Sequence, residues 1–127
     1  AIDVWSFGCI AFELYIGLPL FYGLDNLNML QLMQVRLGRF PQQMIRGSSC
    51  ANEFFENGNV KGIDQVNDRL NFGCKNLQQL IFGRPTDDFD AVEYFYDLVS
   101  SCLTFDKDFR TKSKDIINHN FLTYDFS

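Results

Sequence analysis

Apolar and polar positions along the chain predict a helical beginning, an irregular middle and a helical end. The run from Val4 to Ile16 is apolar on nearly every side, and its clearly polar members are Ser6 and Glu13. Such a run predicts a helix that is buried all round. Asp3 precedes it as a suitable N-cap, and Gly17 follows it as a stop signal.

Two further helices are predicted from spacing. One covers residues 27–37, with Asp25 or Asn26 as its cap and Gly38 at its end. Its apolar positions are Leu27, Leu30, Met33 and Leu37. Another begins after the Asp87-Asp88 pair and shows a helical face. That face consists of Val92, Phe95, Val99, Cys102 and Leu103.

The middle of the chain, about residues 40–84, loses this periodicity. Gly, Asn, Ser and Gln interrupt its short apolar stretches, which predicts a long loop with one or two helical turns, an insert more than a domain. A last short helix is predicted over residues 113–118, with Ile116 and Ile117 facing inward. The fold class is therefore all-α.

Composition limits the possible functions. The 127 residues suffice for one domain, and a net charge of −5 without a Lys/Arg block argues against nucleic acid or anionic membrane as direct partners. No apolar stretch is long enough to span a membrane. The four cysteines lack Cys-x-x-Cys spacing, which favours free thiols in a reducing compartment over a zinc site. We interpret the single histidine, His119, as a packing residue.

Two segments resemble signature segments of eukaryotic Ser/Thr protein kinases, and together they extend the resemblance over almost the entire chain. Residues 3–21 (DVWSFGCIAFELYIGLPLF) resemble the Asp-x-Trp-Ser-x-Gly start of the central F helix and the turn before helix G. Residues 102–121 (CLTFDKDFRTKSKDIINHNF) resemble the closing segment, although Lys107 replaces its usual proline. The resemblance implies that residues 1–127 are a partial kinase domain. They would form the lower part of the C-lobe, with helices F to I.

A narrower resemblance concerns the kinase group. Residues 20–23 (LFYG) are similar to the Leu-Phe-Pro-Gly turn of the CMGC kinases, which carry an insert between helices G and H. Residues 38–47 (GRFPQQMIRG), followed by Phe54-Phe55, resemble the insert of the pre-mRNA processing factor 4 kinases, near the DYRK branch. That branch implies an intracellular protein, in the nucleus more than the cytoplasm. It also implies protein substrates and docking proteins that bind through helix G and the insert.

The motifs that perform phosphoryl transfer are absent from the sequence. It contains no Gly-rich loop, Val-Ala-Ile-Lys, His-Arg-Asp, Asp-Phe-Gly or Ala-Pro-Glu. ATP and Mg²⁺ would therefore be bound by other residues of a full-length parent, and the chain itself holds no catalytic, cofactor or metal residue. Because it begins with Ala1 inside a motif, we expect a fragment. The alternative is a non-catalytic helical interaction module or a pseudokinase remnant.

Five residues receive roles from the resemblance. Asp3 would anchor the catalytic loop through its carboxylate, or act simply as a helix cap. Trp5 and Gly8 would be structural supports. Glu13 would lie in the substrate groove and favour basic peptides, or remain solvated on the helix. Arg110 matches the arginine that pairs with the glutamate of Ala-Pro-Glu, so without that partner it would face solvent or find another carboxylate.

Overall fold

The computed structural model describes residues 2–70 and 72–125, except for the side chains of Ile2 and Asp3. Within that part the chain is mostly helical, which confirms the predicted all-α class. The elements are α1 (Ile2–Ile16), α2 (Asn26–Leu37), α3 (Gln42–Arg46), α4 (Ala51–Phe54), β1 (Phe55–Glu56), β2 (Asn59–Val60), a 3₁₀ helix (Ile63–Gln65), α5 (Leu77–Phe82), α6 (Phe89–Cys102) and α7 (Ser113–Ile116). Contacts divide the chain into a first unit, residues 1–20 and 77–127, and a second unit, residues 21–76.

The long apolar helix α1 forms where the sequence predicted it. It begins at Ile2, so Asp3 lies in its first turn and not at the predicted capping position. At its other end Gly17 adopts a φ of +91°, and its N–H donates to the Glu13 carbonyl at 2.7 Å. Because glycine adopts positive φ without a Cβ clash, Gly17 ends the helix as predicted.

The core of the first unit forms where α1 packs along α6. Val4, Leu98 and Cys102 form a buried cluster, against which Ile116 and Phe121 are partly buried. The predicted face of α6 is confirmed, because all five of its residues are buried.

The sequence predicted the start of α6 correctly, but it predicted the inward face of α7 only in part. The Asp88 carboxylate accepts the Ala91 N–H at 3.0 Å, which confirms the predicted cap of α6. Ile116 lies against the core, but Ile117 is 71% exposed. The prediction that both isoleucines face inward is therefore wrong for Ile117, because α7 is a single turn and cannot present adjacent residues to one side.

In the second unit, α2 buries a different face from the predicted one. Its cap is confirmed, since the Asn28 N–H donates to Asp25 Oδ1 at 2.8 Å, and Gly38 follows the helix with a φ of +96°. The four predicted apolar positions are only half-buried. The more deeply buried residues are instead Asn28, Gln31, Leu32, Gln34 and Arg36. Polar side chains thus occupy the best-covered positions of this helix.

Residues 40–76 contain more regular structure than a long loop. Strands β1 and β2 pair as an antiparallel hairpin around Asn57 and Gly58, which have φ values of 54° and 80°. Positive φ at both turn residues is the geometry that Asn-Gly favours in two-residue hairpins. The Phe55 ring packs edge-on against Phe40, with centroids 5.4 Å apart. The insert boundaries of about 40–84 stay a prediction, while α5 at their end groups with the first unit.

Candidate functional site

The candidate site is the surface of α1 together with the residues that hold this helix in the first unit. Four of the five predicted site residues, Trp5, Gly8, Glu13 and Arg110, are fully described. The Asp3 side chain lies outside the described residues, so its role as an anchor of the catalytic loop stays a prediction.

Trp5 and Arg110 contact each other beside the end of α6. The Trp5 ring stacks on Phe105 with centroids 6.2 Å apart, and the Arg110 guanidinium lies 5.3 Å from the Trp5 centroid. Arg110 Nε donates to the Thr104 carbonyl at 2.9 Å, and another guanidinium nitrogen donates to the Phe105 carbonyl at 3.1 Å.

These contacts correct the expectation for Arg110. Among the side chains that the structure describes, no carboxylate pairs with the guanidinium. It is half-buried over an aromatic ring and bonds backbone carbonyls just after α6. A positive charge near the carboxyl end of a helix is favourable, because carbonyls there carry partial negative charge. The cation–π contact adds to this stabilisation. These contacts stabilise the chain just after α6. The role of Arg110 as a structural support stays a prediction.

Gly8 lies where α1 packs closely against the end of α6. A Cβ atom at this position would lie 2.9 Å from Cys102 Cβ and 3.0 Å from Leu103 Cδ2. Real Cβ atoms do not approach carbon so closely, so a larger residue would push the two helices apart. The lack of space for a Cβ atom is the reason to expect a structural role for Gly8.

Glu13 is exposed on α1, beside Leu14. Exposure is required both by a solvated carboxylate and by a carboxylate that contacts a basic substrate. Both interpretations of Glu13, the substrate groove and the solvated helix surface, therefore stay predictions.

One face of α1 is apolar and uncovered. The exposed fractions are 37% for Phe7, 59% for Ile10 and 83% for Leu14. These side chains line a groove of about 670 Å³ in the first unit, whose opposite wall includes Val92 and Phe95. A helix that is apolar all round is normally covered on every side. In this structure, therefore, that face of α1 lacks the cover that such a helix normally has.

The carboxyl end of α1 receives a cap that the sequence did not suggest. Arg84, from the segment between α5 and α6, donates to the Tyr15 and Ile16 carbonyls at 3.0 and 3.1 Å. Its guanidinium also lies 5.4 Å from the centre of the Tyr15 ring. Because Arg84 is 68 residues from Ile16 in sequence, no local signal could have revealed this contact.

Sequence reasoning also missed a polar row on α2, defined here as Asn28, Gln31, Gln34 and Arg36. The Asn28 amide donates to the Asn67 carbonyl at 3.1 Å, and the Gln31 amide donates to the Lys61 carbonyl at 2.8 Å. Gln34 accepts the Val60 N–H at 2.9 Å. Buried amides of this kind are stable because each finds a partner. The polar row thereby holds the backbone of residues 60–67.

Arg36 is the most deeply buried member of the polar row. Its side chain is 0% exposed and forms an ion pair with Asp68, with a nitrogen–oxygen distance of 2.6 Å. A second guanidinium nitrogen donates to the Gly73 and Lys75 carbonyls at 3.0 and 2.8 Å. The Phe72 ring lies 5.4 Å away. One side chain thus bonds to Asp68, Gly73 and Lys75 together.

Two cysteine thiols of the first unit have raised pKa values. Burial raises the pKa of the Cys9 thiol to about 11, and burial is also the main cause that raises the pKa of Cys102 to about 11. Neither thiol is therefore a ready nucleophile near neutral pH. Within residues 2–70 and 72–125, no group of three or more His, Cys, Asp or Glu could bind a metal ion. No described helix is both long and apolar enough to cross a membrane.

The chain is similar to several known protein kinases, although no family model matches it. It is 31% identical over 123 residues to the Serine/threonine-protein kinase ppk5 of Schizosaccharomyces pombe. The aligned residues make up 95% of this chain and 14% of ppk5. It is 30% identical over 121 residues to the human Dual specificity protein kinase CLK2, covering 94% of this chain and 23% of CLK2.

A third relative is the Dual specificity tyrosine-phosphorylation-regulated kinase 2 of Drosophila melanogaster, 31% identical over 124 residues, or 96% of this chain and 16% of the relative. The chain thus spans less than a quarter of the length of these three relatives. Over nearly all of its own length, the chain is similar to a segment of Ser/Thr and dual-specificity protein kinases. These similarities support its assignment as a segment of a protein kinase domain.

Proposed function

We propose that this chain forms the lower part of the C-lobe of a Ser/Thr protein kinase of the CMGC group. In this proposal α1, α2, α6 and α7 are helices F, G, H and I. The observation that carries the proposal is the uncovered apolar face of α1, with its groove of about 670 Å³. The kinase resemblance provides a cover for that face, because helix E and the catalytic loop surround helix F.

In the proposed kinase, this chain would support the catalytic residues and not perform phosphoryl transfer. Transfer depends on a lysine, Mg²⁺ ligands and a catalytic aspartate held together. None of their sequence motifs occurs here. Among the residues that the structure describes, no group of three or more His, Cys, Asp or Glu could bind a metal ion. ATP and Mg²⁺ belong to other residues of the parent in this proposal. The chain would form the floor of the substrate groove.

Three narrower proposals follow from the resemblance. The branch is that of the pre-mRNA processing factor 4 kinases, and the DYRK and CLK names among the relatives support a position near it. Such a kinase would act in the nucleus and be associated with splicing. Docking proteins and substrates would bind through α2 and the segment that follows it.

The proposed function predicts a difference between the full-length protein and this chain. With Mg·ATP, the full-length protein is expected to transfer phosphate to a Ser/Thr substrate, whereas isolated residues 1–127 bind no Mg·ATP and transfer none. Radiolabelled phosphate incorporation and nucleotide titration measure both. A full-length protein without activity, carrying altered His-Arg-Asp or Asp-Phe-Gly motifs, would support a pseudokinase instead. Saturable Mg·ATP binding by residues 1–127 would contradict the proposal.

Asp3→Asn in the full-length protein is expected to lower kcat at least tenfold and leave the affinity for ATP nearly unchanged. In the proposed role, the carboxylate accepts backbone N–H bonds from the catalytic loop, and loss of such positioning slows the chemical step. Steady-state kinetics and a nucleotide titration separate the two effects. A kcat within about twofold of the unaltered enzyme would show that Asp3 is not the anchor.

Glu13→Gln is expected to raise KM for substrates with basic residues about threefold to tenfold, because an exposed carboxylate attracts a nearby cation by roughly a kcal/mol. KM for otherwise identical substrates with neutral residues is expected to change less than twofold. Ser6→Ala, at another exposed position of α1, serves as the control. Equal effects on basic and neutral peptides would assign Glu13 to the solvated helix surface.

A further inference from the structure

The last turn of α1 ends in carbonyls that the following chain cannot fully satisfy. In a continuing helix the Tyr15 carbonyl would accept the N–H of residue 19, but residue 19 is a proline and has no N–H. Arg84 supplies a donor instead. Its Nη1 atom donates to the Tyr15 carbonyl at 3.0 Å and to the Ile16 carbonyl at 3.1 Å. These two hydrogen bonds, defined here as the Arg84 clamp, replace bonds that a continuing helix would have made.

The segment that carries Arg84 is held by its neighbours. Pro85 follows directly and disfavours a helical backbone at Arg84. Asp88, a few residues later, caps α6. The Arg84 guanidinium also lies 5.4 Å from the centre of the Tyr15 ring, and that ring packs on Phe95 of α6 with centroids 4.9 Å apart. The Arg84 clamp thus joins the end of α1 to the segment that leads into α6.

Glu13 belongs to the turn of α1 that the clamp holds. Its carbonyl accepts the Gly17 N–H at 2.7 Å, so the clamped carbonyls of Tyr15 and Ile16 lie within the same turn. The Glu13 side chain is exposed and points away from the apolar groove that Arg84 lines. Among the described residues, no Lys, Arg or His forms an ion pair with the Glu13 carboxylate. That carboxylate can therefore attract a cation of another molecule.

We propose that Arg84 is a positioning residue for Glu13 and thereby strengthens the preference for basic substrates. This inference rests on the proposed function, in which Glu13 contacts a basic residue of the substrate. The attraction between two exposed charges decreases with their separation and is screened by salt, so the carboxylate must be held close to the cation. The Arg84 clamp limits the movement of the turn that carries Glu13, and so keeps the carboxylate in place.

The positioning role and the charge of Arg84 predict opposite results. Arg84 is itself a cation, so by charge alone its removal would lower KM for a basic substrate. The positioning role predicts a higher KM, because a displaced carboxylate binds the cation less well. Arg84→Met keeps an unbranched apolar side chain beside Tyr15 and removes both hydrogen bonds of the clamp. This variant therefore distinguishes the two effects by the direction of the change.

The test measures steady-state kinetics of the full-length protein with a substrate peptide that contains an arginine and a matched peptide with glutamine in its place. Arg84→Met is expected to raise KM for the arginine peptide about threefold, and to change kcat, and KM for the glutamine peptide, less than about twofold, the pattern of lost ground-state binding. Lys114→Met, which removes an exposed cation from α7, is the control and is expected to change neither.

Two further measurements separate positioning from general loosening of the protein. In a Glu13→Gln background no carboxylate remains to be positioned, so Arg84→Met is expected to change KM for the arginine peptide less than about twofold. Hydrogen exchange is expected to show the Gly17 amide, which donates to the Glu13 carbonyl, exchanging several-fold faster in Arg84→Met. Equal effects of Arg84→Met with and without the Glu13 carboxylate would overturn the proposal. Unchanged exchange at Gly17 would overturn it as well.

Failure of this proposal is distinguishable from failure of the proposed function. If Glu13→Gln raises KM for the arginine peptide and Arg84→Met does not, the substrate role of Glu13 is supported and Arg84 only caps α1. If Glu13→Gln leaves that KM unchanged, Glu13 does not contact the substrate and the positioning role of Arg84 is overturned with it. A full-length protein that transfers no phosphate at all would contradict the proposed function itself, and the inference that rests on it.

Discussion

Asp68→Ala is expected to unfold residues 59–76 locally and to lower the stability of the second unit by about 3–5 kcal/mol, the usual effect of leaving a buried charge without its partner. The Arg36 side chain is 0% exposed and would lose the Asp68 oxygen that lies 2.6 Å away. The free energy of unfolding of a domain is typically about 5–15 kcal/mol, so such a loss is a large part of the total stability. Hydrogen exchange of peptides from residues 55–76, in the full-length protein, measures the effect.

Two further variants identify the cause of that loss. Asp64→Ala removes an exposed carboxylate from the same segment and is expected to change stability by less than about 0.5 kcal/mol. Arg36→Met combined with Asp68→Leu replaces both charges by apolar groups and is expected to recover part of the stability. Recovery would be incomplete because the Gly73 and Lys75 carbonyls lose their donor. An Asp68→Ala variant with unchanged exchange would show that the ion pair contributes nothing.

The sequence predicted those elements whose signals are local. The apolar run of α1 and the periodic face of α6 are properties of neighbouring residues, as are the caps Asp25 and Asp88. Helical spacing and capping act within a few residues, so they can be read without knowledge of the fold. The Asn57-Gly58 turn was also readable, and the hairpin was missed because residues 40–84 were interpreted from their lack of periodicity alone.

The rest depends on partners distant in sequence. Gln31 is buried because it bonds the Lys61 carbonyl 30 residues away, and Arg36 because it reaches Asp68 and the carbonyls beyond. A polar residue on a helix is ordinarily read as exposed, so spacing alone assigned the wrong face to α2. Arg110 is a similar case, because its partners among the described residues are backbone carbonyls, which no sequence pattern indicates. Polar side chains with several acceptable partners are thus the residues that sequence patterns locate least well.

The isolated chain of residues 1–127 is expected to be aggregation-prone or to lack fixed tertiary packing. Phe7, Ile10 and Leu14 are exposed on one face of α1 and line an apolar groove of about 670 Å³. Each large apolar side chain left in water forfeits about 1.5–3 kcal/mol relative to full burial. Contiguous apolar patches of this kind promote association.

Restoring the residues that precede Ala1 in the full-length kinase domain is expected to rescue solubility, because the proposed helix E and catalytic loop would cover this face. Size-exclusion chromatography and thermal unfolding of the two proteins provide the comparison. Ile10→Lys with Leu14→Glu, which leaves the buried side of α1 unchanged, is expected to reduce aggregation of the isolated chain, since charges then replace the apolar surface. A soluble monomer of the unaltered chain, with one cooperative transition and dispersed side-chain NMR signals, would show that this face of α1 needs no cover. The proposed place of α1 at the centre of a kinase lobe would then be wrong.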